Sequence, residues 1–340
     1  MAHMIMGTDR YGEVRKNGQR AWHGLGSEIE EGLSAQEAFP FIGLDWDTEL
    51  APLTATMANG TQVPLAGKNP YRAHLRSDTS QLLGLVTESY TPFQNKDVAA
   101  FADALAGQDA AVTVETAGSL YDSRRVFVLV KLPGIIRASA DDVLEQYILV
   151  QNGHGGTAAA ACYDTAIRVC CANTLAWSEQ NAGGIKFQHT GNFENKIKQA
   201  QTVLGLAIGQ AEKFQEKVTA LVGKKLTAEG THKLLESIYD ATYGTLPEPL
   251  QVSAEILERL TLKRTNLIEQ WEVNLCNERQ KIRGIQGTAW AALNAVTEFH
   301  DHDRGNFGGI DESDARVGNN IFGASSRDKA MAMKVALASV

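Results

Sequence analysis

Five short segments concentrate the residue types that bind phosphate, stack on bases or hold metals. Val150-Gln-Asn-Gly-His-Gly-Gly-Thr157 sets three glycines around His154 between two apolar runs. Glycines admit positive φ and close backbone approach, so such a turn can offer N–H groups to a phosphate, with Asn152 and His154 adding contacts. The simpler reading is a hairpin loop whose glycines serve only to turn the chain; there is no Walker spacing and no strand-to-helix dinucleotide context. Arg168 stands in the apolar run Thr165-Ala-Ile-Arg-Val-Cys-Cys-Ala-Asn-Thr-Leu175. A buried guanidinium requires an anionic partner, either Asp164 as a structural pair or a phosphate. Ile185-Lys-Phe-Gln-His-Thr-Gly-Asn192 is followed by Lys196 and Lys198. Lys186, Phe187, His189, Lys196 and Lys198 are the types that neutralise phosphates and stack bases, although solvated lysines on a helix face look the same in sequence. Arg279, Lys281 and Arg283 form a second basic cluster beside Gly284 and Gly287, placed to complete a groove.

The fifth segment, Phe299-His-Asp-His-Asp-Arg304, is the best candidate for metal chemistry. Consecutive helical residues diverge, however, so His300, Asp301 and His302 need ligands from another element, and a charged helix terminus is the plainer expectation. Cys162 and Cys170 lie in apolar strand surroundings that raise a thiol pKa, and no histidine base is placed beside either, so packing is expected of them. Cys162, Cys170, Cys171 and Cys276 have neither C-x-x-C nor zinc-knuckle spacing and are read as reduced thiols. No catalytic residue, metal or cofactor is assigned.

The elements that must position these residues follow from period and punctuation. Residues 1–110 are rich in turn formers and read as an irregular N-terminal α/β lobe. Ser34-Ala-Gln-Glu37 has capping-box spacing, which predicts a short helix ending before Pro40. Strands are expected at 51–57, 73–75 and 82–86, and a helix at 95–106. Val112–Thr116 and Val126–Val130 predict an antiparallel hairpin, and Gln146–Val150 and 157–169 extend it into a meander. From Phe193 to Val222 the apolar period becomes 3.6, through Ile197, Val203, Leu204, Ala207, Ala211, Phe214, Val218 and Leu221. Helices are expected again at 227–239, 253–277, 287–301 and 329–338. The fold class is therefore α+β: an antiparallel meander packed on a long amphipathic helix over 111–225, then a helical region over 226–340.

Composition sets the outer limits. The 340 residues carry 44% hydrophobic side chains, ample for a core, and a net charge of −8 argues against wholesale wrapping of nucleic acid. The charge is uneven: residues 181–225 hold seven Lys and three Glu, whereas the segments on either side are acidic. No apolar run suits a membrane span and the first ten residues lack signal-peptide order, which points to the cytoplasm of a host cell.

Trp22-His-Gly-Leu-Gly26, Tyr90-Thr-Pro-Phe-Gln-Asn95, Val150–Gly156, Arg168-Val-Cys-Cys-Ala-Asn-Thr-Leu175, His189-Thr-Gly-Asn192 and Ala295-Val-Thr-Glu-Phe-His-Asp-His302 occur in an order that resembles the phage/plasmid-like proteins grouped as domain of unknown function 932. That family's turn usually reads Asn-Ser-His-Asp-Gly, and here Gly153 and Gly155 replace its Ser and Asp. The resemblance implies a phage or plasmid setting and, by association, DNA metabolism. The meander followed by a long helix is also similar in architecture to the β-β-β-α core of Rad52-type annealing proteins. The leading expectation is a non-catalytic single-stranded DNA binding or annealing protein acting in recombination, assembled as a homo-oligomer. Its groove would be formed by Lys186, Lys196, Lys198, Arg168, Arg279, Lys281 and Arg283, with Phe187, His189, His154 and Asn152 contributing contacts. The alternatives are an interaction protein that inhibits a host defence or replication factor, and a metal-dependent nuclease using His300, Asp301 and His302.

Overall fold

The computed structural model describes residues 11–16, 19–20, 27–30, 32–65, 67, 70–107, 112–156, 158–168, 174–175, 185–186, 193–249, 251–304 and 323–340. Its centre is the expected meander, longer than the sequence pattern suggests. Strands β9 (Thr113–Leu120), β10 (Arg125–Arg137), β11 (Val143–Gly153) and β12 (Ala161–Arg168) pair antiparallel in order. Even-numbered residues Val126, Val128 and Val130 on β10 and Ile148 and Val150 on β11 enter one core, as the two-residue period of a strand requires. The sheet is extended on one side by β1 (Tyr11–Lys16), β2 (Gln19–Arg20) and β3 (Ser27–Ile29), the last parallel to β1. On the other side β13 (Thr174–Leu175) and β14 (Ile185–Lys186) both pair with β12.

A second, three-stranded sheet in the order β4-β7-β8 contains β4 (Thr48–Pro52), β7 (Tyr71–Arg76) and β8 (Leu82–Thr87). Between β4 and β7 the chain makes a separate hairpin of β5 (Thr54–Thr56) and β6 (Gln62–Pro64). Helix α1 (Ala35–Phe41) has the expected capping box, Ser34 with Glu37, but it continues through Pro40. The proline sits in the last turn, where only one further residue must remain helical, so the sequence rule that helices stop before proline yields by two residues. Helix α2 (Asn95–Ala106) covers the sheet beside α3 (Phe193–Gly223), and α3 lies along β10.

The helical C-terminal part comprises α4 (Ala228–Tyr243), α5 (Ala254–Leu275), α6 (Ala289–Glu298) and α7 (Ala324–Ala338), with one π-helical turn, Phe299–Asp303, closing α6. Two apolar clusters result. The first joins α1, α2, the sheet and Leu204 and Ala207 of α3. The second joins Ile136 of β10, Leu144 of β11 and Phe214, Val218 and Leu221 of α3 to the C-terminal helices. Helix α3 and strands β10, β11 and β12 thus serve both cores. Where β10 runs past the end of β9, Gln215 of α3 takes the place of a neighbouring strand: its carbonyl accepts from the Arg137 N–H at 2.8 Å and its amide donates to the Arg137 carbonyl at 2.9 Å. An open strand edge is thereby closed.

Candidate functional site

The basic segment is carried mainly by α3. Leu204, Ala207, Ala211, Phe214, Val218 and Leu221 are buried at alternating spacings of three and four, the signature of one helix face against a core. At about 100° per residue, Lys198, Lys213, Lys217 and Lys224 fall within about 100° of one another on the opposite side, over about 39 Å of axis. Lys224 follows the last helical residue but keeps the helical bond, its N–H reaching the Ala220 carbonyl at 3.1 Å. Lys198 and Lys213 are exposed, and Lys217 and Lys224 are half-buried. Among the described residues no acid bonds any of the four side chains. Of the two exposed acids, Glu212 lies about 40° outside the positive sector on one side, and Glu216, about five turns from Lys198, lies in line with that lysine at the sector's edge. Lys196 lies on the first turns of the same helix, its side chain outside the described residues.

The other expected phosphate ligands do not all gather there. Lys186 on β14 pairs with Ala161 at the start of β12, whereas Arg168 ends that strand opposite Leu144. Seven residues of strand separate them by about 23 Å. The side chains of Arg168, Asp164 and Lys186, together with Phe187 and His189, lie outside the described residues, as do Cys170 and Cys171. The second basic cluster is largely compensated. Arg279 donates to the buried Glu298 at 3.3 Å, and Lys281 bonds Glu278 at 2.6 Å, which raises the lysine pKa. Arg283 remains exposed.

Asn152 and His154 are not in an open turn; both are fully buried. The glycines around them serve close packing: a Cβ at Gly84 of β8 would lie 2.5 Å from the Gly155 carbonyl oxygen, and one at Gly153 would lie 2.6 Å from Ala158 Cβ. The three-stranded sheet therefore closes directly onto this loop. His74 of β7 contacts the His154 carbonyl through Nδ1 at 2.6 Å. A carbonyl only accepts, so Nδ1 carries a proton, and burial lowers the pKa of the ring below its ordinary value against the opposing pull of that bond. His154 Nε2 sits 2.8 Å from Asn95 Oδ1, while the Asn95 amide donates to the carbonyls of Leu44 at 3.0 Å and Trp46 at 3.3 Å. That fixes Oδ1 as the acceptor and puts the His154 proton on Nε2. Asn152 donates to the Phe93 carbonyl at 2.7 Å. Trp46 packs on His154 at 5.1 Å and Tyr90 on His74 at 5.4 Å between ring centres. The Arg76 guanidinium lies 4.4 Å over the Trp46 ring and bonds the Ser123 hydroxyl at 2.8 Å. The sequence segments Tyr90–Asn95 and Val150–Gly156 thus meet in one buried polar seam. His74, Trp46 and Arg76 belong to it although no local pattern distinguishes them in sequence.

Beyond α6, His300, Asp301 and Asp303 of the π-helical turn each have partners of their own. Asp301 pairs with the buried Lys329 at 2.7 Å. His300 faces Arg304 at 3.2 Å, and Arg304 bonds Asp328 at 2.8 Å. Asp303 accepts from Asn274 at 2.8 Å. Burial first, then the charges of Lys329 and Arg304, holds the His300 pKa well below its ordinary value, and burial lowers that of Lys329 against the opposing pull of Asp301. Among the described residues no group of three or more His, Cys, Asp or Glu side chains converges on a metal position. Cys162 is a buried free thiol, in keeping with the packing expected of it, and Cys276 is an exposed free thiol. No helix among the described residues is long and apolar enough to cross a membrane.

A family model described as domain of unknown function (DUF932) matches residues 82–336. The chain belongs to this family. The matched span takes in the meander, the lysine-bearing helix, Tyr90, Asn95, Asn152 and His154 of the seam and the π-helical turn, and leaves out α1 and β1 to β7, with Trp46, His74 and Arg76. No curated protein and no solved structure matches the chain.

Proposed function

We propose that this member of the DUF932 family is a phage- or plasmid-encoded protein that binds single-stranded DNA without catalysing a reaction on it, and that it acts in annealing or recombination as a homo-oligomer. One observation carries the reading: Lys198, Lys213, Lys217 and Lys224 form a row along α3 that no acid neutralises among the described residues, in a chain that is acidic elsewhere. A row of point charges along a straight element suits a phosphate backbone, since each contact releases condensed counterions and none requires a particular base. Lys186 and Lys196 precede the row in sequence, and Phe187 and His189 supply the ring types on which bases stack. The antiparallel meander leading into α3 supports an annealing role. Arg279 and Lys281, engaged by glutamates, are left out of this surface, and so are the buried Asn152 and His154.

The test is fluorescence anisotropy with a labelled oligothymidylate over a series of salt concentrations. Wild-type affinity falls as salt rises. The double change Lys213→Gln and Lys217→Gln weakens low-salt binding about tenfold, equivalent to about 1.4 kcal/mol, and flattens the plot of log affinity against log salt by about 1.4. Arg279→Gln with Lys281→Gln leaves both quantities unchanged. No binding by the wild-type chain at low salt, or equal salt slopes in the two double variants, overturns the proposal.

A further inference from the structure

Gln146 stands where the strand pattern calls for an apolar side chain. On β11, Leu144, Gln146, Ile148 and Val150 face the same side of the sheet; Leu144 belongs to the second apolar cluster, and Ile148 and Val150 belong to the first. The glutamine between them is only 5% exposed, and among the described residues its amide has no hydrogen-bond partner. The elements around it carry small side chains at the same level. Ala211 of α3, buried between Ala207 of the first cluster and Phe214 of the second, belongs to neither. On β10, Pro133 and Gly134 fall within the irregularity between Lys131 and Ile135, where the register with β11 shifts. A Cβ at Gly134 would lie 2.7 Å from Gln146 Oε1, so the amide has room only because this position is glycine.

The result is a cleft of about 570 Å³ between β10 and α3, at the junction of the two clusters. Leu132, Pro133, Ile135, Ile136 and Ala211 give it an apolar lining, and its polar side chains are Gln146, Gln215 and Glu212. The Gln215 amide is engaged by the Arg137 main chain. Glu212 is exposed and makes no hydrogen bond or ion pair with any described residue. Burying an amide without a partner costs free energy that an apolar side chain at 146 would not. Such a group fits a partner that comes from outside the chain.

We infer that this cleft binds a small uncharged molecule with an apolar body and one amide edge, open-chain or cyclic, which pairs with the Gln146 amide. A carboxamide presents an acceptor and donors side by side, so its complement is a second amide, which returns both bonds. The volume falls within the roughly 300–1,000 Å³ of small-molecule sites, which are mainly apolar with a few placed polar groups. A single water takes up about 30 Å³ and leaves most of the apolar lining without a partner. Anions are disfavoured by Glu212, the one charged side chain among the described lining residues. The inference does not depend on what the lysine row binds.

Saturation-transfer NMR titrations on the full chain test it, with benzamide and thymine as the open-chain and cyclic amides and with benzoate and toluene as controls. The wild type binds at least one of the two amides at millimolar concentration, and the tighter of them shows which form of the edge the cleft takes. Benzoate, which brings a negative charge, and toluene, which lacks the amide, bind at least about fivefold more weakly. Gln146→Leu weakens the amide at least about fivefold and leaves toluene unchanged. The same variant raises the thermal unfolding midpoint, because it removes a buried polar group that has no partner in the chain. Ala211→Phe fills the cleft and abolishes binding of the amide; should it fail to fold, Gln146→Leu still decides. No saturation transfer to either amide overturns the inference, as does benzoate binding as tightly as benzamide or amide binding unchanged in Gln146→Leu. A lower midpoint for Gln146→Leu overturns it too, since the glutamine would then be a structural group.

Discussion

At the residue scale, the buried seam makes a pH prediction that needs no knowledge of the ligand. Burial lowers the pKa of His74 from its ordinary 6.5, with the hydrogen bond to the His154 carbonyl opposing in part, and His300 is lowered further. The unfolded chain therefore binds more protons than the folded one just below pH 6.5, so stability rises with pH in that window. The contribution is complete above the unfolded pKa and is lost as pH falls through it toward the folded values. His74→Asn keeps a donor near the position of Nδ1 but cannot titrate. Urea unfolding between pH 7.5 and 5, as an experimental window set around the ordinary histidine pKa, is expected to show a shallower loss of stability for this variant. The difference approaches but does not exceed about 1.4 kcal/mol per pH unit for one proton. Identical slopes in variant and wild type would mean that His74 is not held neutral. The seam is also where sequence is least informative. His74 and His154 stand 80 positions apart, and neither Trp46 nor Arg76 falls in a pattern of its own, so only folding brings them together. The same holds for Asp301 and Lys329: the first was visible as one of several charged neighbours, and its buried partner lies on another helix.

At the element scale, local signals place whole helices well. Helix α2 occupies Asn95–Ala106 and α3 Phe193–Gly223, because in each the 3.6-residue apolar period continues without a breaker. The strand limits are set by different physics. β9 runs on through Ala117, Gly118 and Ser119, residues of low strand propensity, because β10 supplies partners for all of them. The β9–β10 turn then takes an unfavourable route: Tyr121, Asp122 and Ser123 have φ of 58°, 54° and 67°, three successive left-handed residues of which none is glycine. Such a conformation costs about 1–2 kcal/mol per residue for ordinary side chains, less for Asp. Arg76 holds the turn through the Ser123 hydroxyl and Gln81 through the Asp122 carbonyl at 3.1 Å. Asp122→Gly relieves strain while keeping the carbonyl contact, and a gain of about 0.5–1 kcal/mol is expected by chemical denaturation, partly offset by the greater freedom of glycine when unfolded. Ser123→Gly relieves the same strain but removes the hydroxyl that meets Arg76, so its gain is smaller or reversed. If Asp122→Gly destabilises as much as Ser123→Gly does, the left-handed turn is not strained in the folded chain.

At the scale of the molecule, two separate apolar clusters would melt as two units, but the way these two share elements argues otherwise. Helix α3 contributes Leu204 and Ala207 to the first and Phe214, Val218 and Leu221 to the second. Strand β10 does the same with Val126, Val128 and Val130 on one side of its irregularity and Ile136 beyond it. Neither cluster can lose its packing without baring half of a helix whose continuation is still packed, and a helix half freed from its tertiary contacts has little stability of its own. Asp142, fully buried, adds a polar tie by accepting from the Trp290 indole N–H at 2.8 Å, across 148 positions of sequence. The chain carries separate reporters for the two regions: Trp46 lies in the first cluster, Trp271 and Trp290 in the second. In a background that carries Trp22→Phe and Trp177→Phe, fluorescence of a variant with both Trp271→Phe and Trp290→Phe follows the first cluster, and that of Trp46→Phe follows the second. Because the double change weakens the second cluster and Trp46→Phe the first, each variant's fluorescence is compared with its own far-ultraviolet circular dichroism. In both, the two midpoints are expected to coincide, and Phe101→Ala, a cavity in the first cluster costing about 3–5 kcal/mol, should lower the midpoint reported by Trp271 and Trp290. Separate transitions, or a Phe101→Ala effect confined to Trp46, would establish two independently melting halves and place a hinge in the middle of α3, between Ala207 and Phe214.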